Sequence, residues 1–242
     1  MGLEKELPVF SRFCFALNLN KVLCISPHPD DVEYGILGTI CKYKDTQFDV
    51  FVLSQGGDFD ESTAKERQGE CKKVWEHIDN IEGHFIEDSK FIKDKDEDEW
   101  VNLLENKFDI SSYDCIITTS PTDSHFEHRM VSDFTYALVR RDKCGIIQYK
   151  SPSTLDTWIP NFFVDIGVFK NRNQEDGHSN ETHVLFMAGI WYVKLNKLKL
   201  FESQQDKSYF EESAIKSFHS NYQCSNRDMK HVESFKIIRG YN

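Results

Sequence analysis

The sequence has no apolar run near the ~20 residues needed to cross a bilayer. Its longest candidate, VLFMAGIWYV over 184–193, is half that length and is expected in the core or at an interface. No CxxC pair occurs among the seven cysteines, and they follow no regular interval. A paired zinc-ribbon or disulfide framework is therefore not expected. The first 20 residues lack a basic segment followed by a long apolar one, which predicts no secretory signal. An odd cysteine count without that signal reads as a reduced, cytoplasmic chain. There is no dense Lys/Arg block: 29 basic residues stand against 40 acidic ones, a net charge of −11. Nucleic-acid binding rests on neutralising phosphates, so no nucleic acid is expected as a partner, nor an anionic membrane surface. A small anionic substrate stays allowed, because a local Arg or Lys can dominate its own pocket. Repeats and low-complexity tracts are also missing.

What is present is an ordinary globular composition. The chain has 242 residues, enough to bury a core without staples, and its 13% aromatic content argues against wholesale disorder. Apolar, β-rich runs at 21–26, 47–54, 84–87, 113–120 and 145–150 read as strands. Between them, 33–44, 62–78, 97–107 and 125–141 read as helices, with Ser62 or Thr63 as a cap for the second. Alternating strands and helices predict a Rossmann-like α/β fold, a mostly parallel sheet with helices on both faces. The last 90 residues form a C-terminal embellishment of one domain. They hold a polar loop at 170–181, a helix near 208–219 and an amphipathic stretch near 228–238.

In such sheets, sites form beyond the carboxyl ends of the strands. The first strand ends in Ser26-Pro27-His28-Pro29-Asp30-Asp31. The fourth runs into Asp123-Ser124-His125-Phe126-Glu127-His128. Taken singly, each turn could be a helix cap or a solvated helix face. Together at one end of a sheet, they offer imidazoles and carboxylates enough for a His/His/Asp metal site with groups left over for chemistry. His28 and Asp31 are three apart, as are His125 and His128, a spacing that aligns side chains on a helical turn. Spacing alone does not divide the roles. Asp30 adjoins a candidate ligand and can take a proton from water. A cationic His125 could meet a developing oxyanion. Asp123 reads equally as a turn residue or as a carboxylate orienting an imidazole.

These segments resemble the PIG-L/LmbE-like superfamily of zinc-dependent N-acetylglucosaminyl deacetylases. The resemblance runs through KVLCISPHPDDVEYGILGTI (21–40), LSQGGDFD with AKERQGE (53–70) and TDSHFEHR (122–129). It continues in TWIPNFFVDI (157–166) and HVESFKIIRG (231–240). It implies zinc held by His28, Asp31 and His128, with Asp30 as general base. His125 would stabilise the tetrahedral intermediate. Arg67 would lie near the substrate at the start of its helix, where the alternative is a surface ion pair. Glu70 matches the acid that follows it.

Four positions depart from the family pattern. Val32 stands where the family carries Glu, and Glu33 follows. Glu127 replaces Asp between the late histidines, keeping the charge beside the imidazoles on a longer arm. Phe201 stands at a His position. Residues 167–193 look like an insertion, a candidate lid carrying His178 and His183. Among the aromatics Trp158, Phe162, Phe163, Trp191 and Tyr192, Trp158 is the best candidate to stack on a sugar, since it sits between turn residues. The expected function is removal of an acetyl group from an N-acetylated amino-sugar conjugate, a small molecule; a homo-oligomer stays open. Rival readings are a non-catalytic metal- or sugar-binding module, and hydrolysis of another amide or ester on the same site. A dinucleotide enzyme would want a glycine-rich loop where this chain has His-Pro-Asp-Asp, whose carboxylates repel a pyrophosphate.

Overall fold

The computed structural model describes residues 19–54, 61–87, 91–140, 143–167, 189–220 and 229–240. Its centre is a seven-stranded sheet. The strands are β1 (Lys21–Ser26), β2 (Gln47–Val52), β3 (Ile81–Phe85), β4 (Cys115–Thr118), β5 (Gly145–Tyr149), β6 (Phe162–Asp165) and β7 (Val232–Arg239). Their order is β3-β2-β1-β4-β5-β7-β6. The first five are parallel, and β7 runs antiparallel to both β5 and β6.

The strand sequences explain this layering. KVLCIS is buried on both faces after Lys21, which suits a central parallel strand. Val22 and Cys24 enter one core layer, and Leu23 and Ile25 the other. The first layer is closed by α1 (Asp31–Lys42) and α5 (Gly189–Leu198), through residues such as Ile36, Leu37, Leu195 and Leu198. The second is closed by α3 (Glu97–Lys107) and α4 (Phe126–Leu138), through Trp100, Leu104, Phe134 and Leu138. Also present are α2 (Glu61–Trp75) and α6 (Glu212–Phe218). Helix α3 starts on a capping box: Asp96 Oδ1 accepts from the Glu99 N–H at 2.9 Å, and Glu99 Oε2 from the Asp96 N–H at 2.8 Å. Glycine inside α1 has a packing reason. A Cβ on Gly35 would come 2.5 Å from the Tyr149 ring, and one on Gly38 would come 2.9 Å from Glu233 Oε1.

Several expected boundaries move. The third strand is Ile81–Phe85 rather than 84–87. Ser62 and Thr63 fall inside the first turn of α2 rather than before it. The stretch near 228–238 is mostly β7, so the C-terminal segment extends the sheet itself as well as decorating it. Residues 168–188 of the expected insertion, with His178, His183 and the polar loop, lie outside the described residues; 189–193 begin α5. Among the described residues no helix is long and apolar enough to cross a membrane.

The sheet order reverses between β1 and β4, whose chains leave toward opposite sides. A crevice opens at such a point beyond the carboxyl ends of the strands. The two polar turns named above follow β1 and β4.

Candidate metal centre and pocket

The turn after β1 is tight. Asp30 has φ 123°, a conformation that L-residues rarely adopt and that costs on the order of 1–3 kcal/mol. Its carbonyl accepts from the Tyr34 N–H at 2.7 Å, opening α1. Asp31 then points back, and its Oδ2 accepts from the His28 N–H at 2.9 Å. After β4, Asp123 Oδ1 accepts from the His125 N–H at 2.8 Å and so sets the start of α4. His128 is the third residue of that helix.

These two turns bring three ligand atoms together. His28 Nδ1 lies 3.1 Å from Asp31 Oδ2 and 3.4 Å from His128 Nε2, and the third side, His128 Nε2 to Asp31 Oδ2, is 3.2 Å. A tetrahedral ion with bonds of about 2.0–2.1 Å spaces its ligand atoms about 3.3 Å apart, so the triangle has the size of one face of such a site. Two imidazoles and a carboxylate suit zinc. The outward nitrogens are also held. Glu127 Oε2 is 2.8 Å from His28 Nε2, while its Oε1 accepts from the Ile92 N–H. Asp123 Oδ2 is 3.2 Å from His128 Nδ1 and accepts from Ser151 Oγ at 2.6 Å. Each imidazole is thus backed by a carboxylate, the usual way a ligand ring is oriented. An alternative set, His28, His125 and Glu127, includes the exposed His125, whereas Asp31 and His128 of the first set are both buried.

The charges follow from this packing. Burial pushes the imidazoles of His28 and His128 down, but Asp31, Glu127 and Asp123 outweigh it and hold both above the ordinary range, His128 at about 10. The field here favours positive charge, as a cation site requires. Burial pushes the Asp123 carboxyl up, yet the hydrogen bond and charge of His128 bring it down to about 2. Burial raises Asp30 to about 7, against the opposing charge of Arg67. Burial, then His28 and His128, lower His125, so its ring favours the neutral N–H form over the expected cation. Its ring centre lies 4.8 Å from each of theirs.

All five residues His28, Asp30, Asp31, His125 and His128 line one pocket of about 660 Å³. Arg67 lines it too, but from the middle of α2 rather than its start. Its guanidinium donates to the Pro29 carbonyl at 2.8 Å and to Asp30 Oδ2 at 3.2 Å, so it grips the strained turn rather than a free space. Trp158 does not reach the pocket. It is 5% exposed, and its indole N–H donates to Gln148 Oε1 on β5 at 2.9 Å. Phe162, Phe163, Trp191 and Tyr192 are likewise absent from the lining. Phe201 is buried in the core, its ring centre 6.0 Å from that of Phe210. Its neighbour Gln204 lines the pocket instead, on a turn tied down where Ser203 donates twice to Glu70. The sequence reading missed this wall of Gln204, Lys207, Ser208 and Tyr209, together with Phe91, Lys93 and Ser153. The one available pointer to it was the segment FESQ (201–204), in which Phe201 stands at the His position named above.

The PIG-L family, described as GlcNAc-PI de-N-acetylase, matches residues 23–139. No curated protein sequence matches the chain. The fold is similar to N,N'-diacetylchitobiose deacetylase from Pyrococcus horikoshii in complex with its inhibitor MPG. That pair has a TM-score of 0.64 and 19% identity, over 92% of this chain and 85% of that one. It is similar to GalB, the 4-carboxy-2-hydroxymuconate hydratase of Pseudomonas putida KT2440, with TM-score 0.64 and 14% identity over 92% and 98%. The zinc-inhibited form of the teicoplanin deacetylase Orf2 gives 0.61 and 11% over 91% and 99%. At these identities the likeness establishes the fold, which hosts more than one chemistry.

Proposed function

Since residues 23–139 form a domain of the PIG-L family, we propose that the chain is a zinc-dependent hydrolase that removes the acetyl group from an N-acetylated amino-sugar conjugate. One observation carries the reading. Three ligand atoms from His28, Asp31 and His128 converge within 3.4 Å in a pocket where the neighbouring Asp30 is neither a ligand nor exposed.

His28, Asp31 and His128 would hold the ion. When bound, zinc polarises an acyl oxygen and lowers the pKa of water toward ~7. Asp30 takes the proton from the attacking water and delivers it to the departing amine nitrogen. Arg67 keeps that carboxylate in place. His125, on the open side of the cluster, donates its N–H to the acyl oxygen as that oxygen takes on negative charge. Asp123 and Glu127 hold the two ligand rings at their outer nitrogens. The amino-sugar half of the proposal is supported by the family, and the amide-hydrolysis half by the site. Free N-acetylglucosamine is expected to be a poor substrate, because binding energy from the attached group raises turnover.

The test is acetate release from a panel of N-acetylglucosaminides with inositol, malate, nucleotide and lipid-like aglycones, in protein loaded with zinc. Acetate from one class, lost in Asp30→Asn, supports the reading. Release of another acyl group or cleavage of an ester moves the activity to a different bond. A fully loaded protein inert to every substrate would make it a binding module.

A further inference from the structure

We infer that the rim of the same pocket is an anion subsite, in which Lys93 and Lys207 receive a phosphate or carboxylate carried by the substrate away from its acetamide. The inference rests on the deacetylase reading only for where the acetamide lies.

The charge pattern of the pocket differs from that of the chain. The protein carries a net −11, and some of its surface lysines pair with acids. Lys199 and Lys216 both reach Glu212, at 3.6 and 2.7 Å. Lys93 and Lys207 line the pocket, are exposed, and make no ion pair among the described residues. The Lys93 ammonium lies 4.8 Å from the Phe91 ring centre, its sole recorded side-chain partner there. The three carboxylates in the lining, Asp30, Asp31 and Glu127, are buried and matched with Arg67, His28 and His128. Among the described residues, the lining therefore presents two exposed cations and no exposed carboxylate.

Two elements far apart in sequence supply these cations. Lys93 sits on the 3-10 turn Ile92–Asp94, whose N–H groups are anchored on Glu127. Lys207 precedes the 3-10 turn Ser208–Phe210, in the wall that includes Gln204 and Tyr209. A cleft concentrates the field of charges that line it. Arg67 cannot serve the same end while its guanidinium holds Pro29 and Asp30. Lysine is a mobile point charge, suited to an anion whose position shifts with the group that carries it.

The experiment measures binding, not turnover. Zinc-loaded Asp30→Asn protein is titrated calorimetrically with three ligands that share one N-acetylglucosamine: a 1-phosphodiester, a malate glycoside and a methyl glycoside. At low salt an anionic ligand should bind about tenfold or more tighter than the methyl glycoside, with the advantage shrinking as salt rises. The stronger of the two anions identifies phosphate or carboxylate as the source. In the double variant Lys93→Met/Lys207→Met the ratio should approach one, with each single variant in between. Equal affinity for anionic and methyl glycosides, or an advantage that survives the double variant, overturns the subsite. If the anion preference holds while protein with Asp30 intact releases no acetate from any of the three, the deacetylase reading fails and the subsite stands.

Discussion

The guanidinium of Arg67 lies 3.2 Å from Oδ2 of Asp30, and the same nitrogen binds the Pro29 carbonyl at 2.8 Å. Asp30 is held at φ 123°, so a side chain from α2 fixes both a strained backbone and the carboxylate it carries. Arg67→Met should leave zinc content near one per chain and lower kcat by ~10–100-fold, as expected when a catalytic group loses its position. Lysine is a poor substitute at a two-point grip, so Arg67→Lys should fall between the two. If Arg67→Met raised KM and spared kcat, the arginine would be touching substrate instead.

Asp30 and Asp31 are neighbours with different surroundings. Asp31 Oδ2 is within 3.2 Å of both His28 Nδ1 and His128 Nε2, while Asp30 faces Arg67. Asp30→Asn should keep the metal and cut turnover ~10²–10⁴-fold, because proton transfer is lost while the ligands remain. Asp31→Asn should lose metal first, seen by elemental analysis after dialysis. Equal metal content and equal residual activity in the two variants would sink this division of labour.

The parts of the site that could be read from the sequence are those made by short local segments. His28 to Asp31 and Asp123 to His128 each span six residues or fewer at a strand end, and parallel strands bring such ends together. Arg67 was legible by type but not by partner, because Pro29 and Asp30 lie on a turn that only the folded sheet brings against α2. Trp158 was misread since side-chain direction in a turn is not periodic; its partner Gln148 belongs to another strand. The wall around Gln204 and Lys207 consists of three-residue turns that leave no hydrophobic period to detect. Strand β3 was shifted for a related reason. Its Gly83 reads as a break, yet it is where the Trp75 ring packs against the strand and leaves no room for a Cβ.

His219 makes stability depend on pH. It is 1% exposed, its Nδ1 donates to the Val232 carbonyl at 3.0 Å, and Trp191 packs edge-on at 5.5 Å. Burial, then the charge of Lys194, hold its imidazole well below the ordinary range. The unfolded chain therefore binds a proton that the folded one refuses. The stabilisation is complete above the unfolded pKa of ~6.5 and is lost as pH falls below it, at up to about 1.4 kcal/mol per pH unit. Urea midpoints at pH 7.5 and 5.5 should differ less in His219→Gln than in the wild type. The same difference in both proteins would show that His219 is not the group responsible.

Lys194 and Glu233 form an ion pair with both side chains fully buried, Nζ to Oε1 at 2.5 Å. The carboxylate also accepts from the N–H groups of Gly38 and Thr39, at 2.8 and 2.6 Å. One pair thus joins α5 and β7 to α1, the helix whose first residue is Asp31. Removing one partner of such a pair leaves an uncompensated buried charge, so Lys194→Met should cost ~3–5 kcal/mol in urea unfolding. The double variant Lys194→Met/Glu233→Gln removes that charge while keeping one oxygen for the helix N–H groups, and it should recover part of the loss. A buried pair specifies geometry more than it adds stability, so the double variant should also restore zinc affinity if Lys194→Met lowers it through α1. A cost below about 1 kcal/mol for Lys194→Met would mean that water reaches the pair, as it does an exposed one, and that α1 is anchored by its apolar face alone.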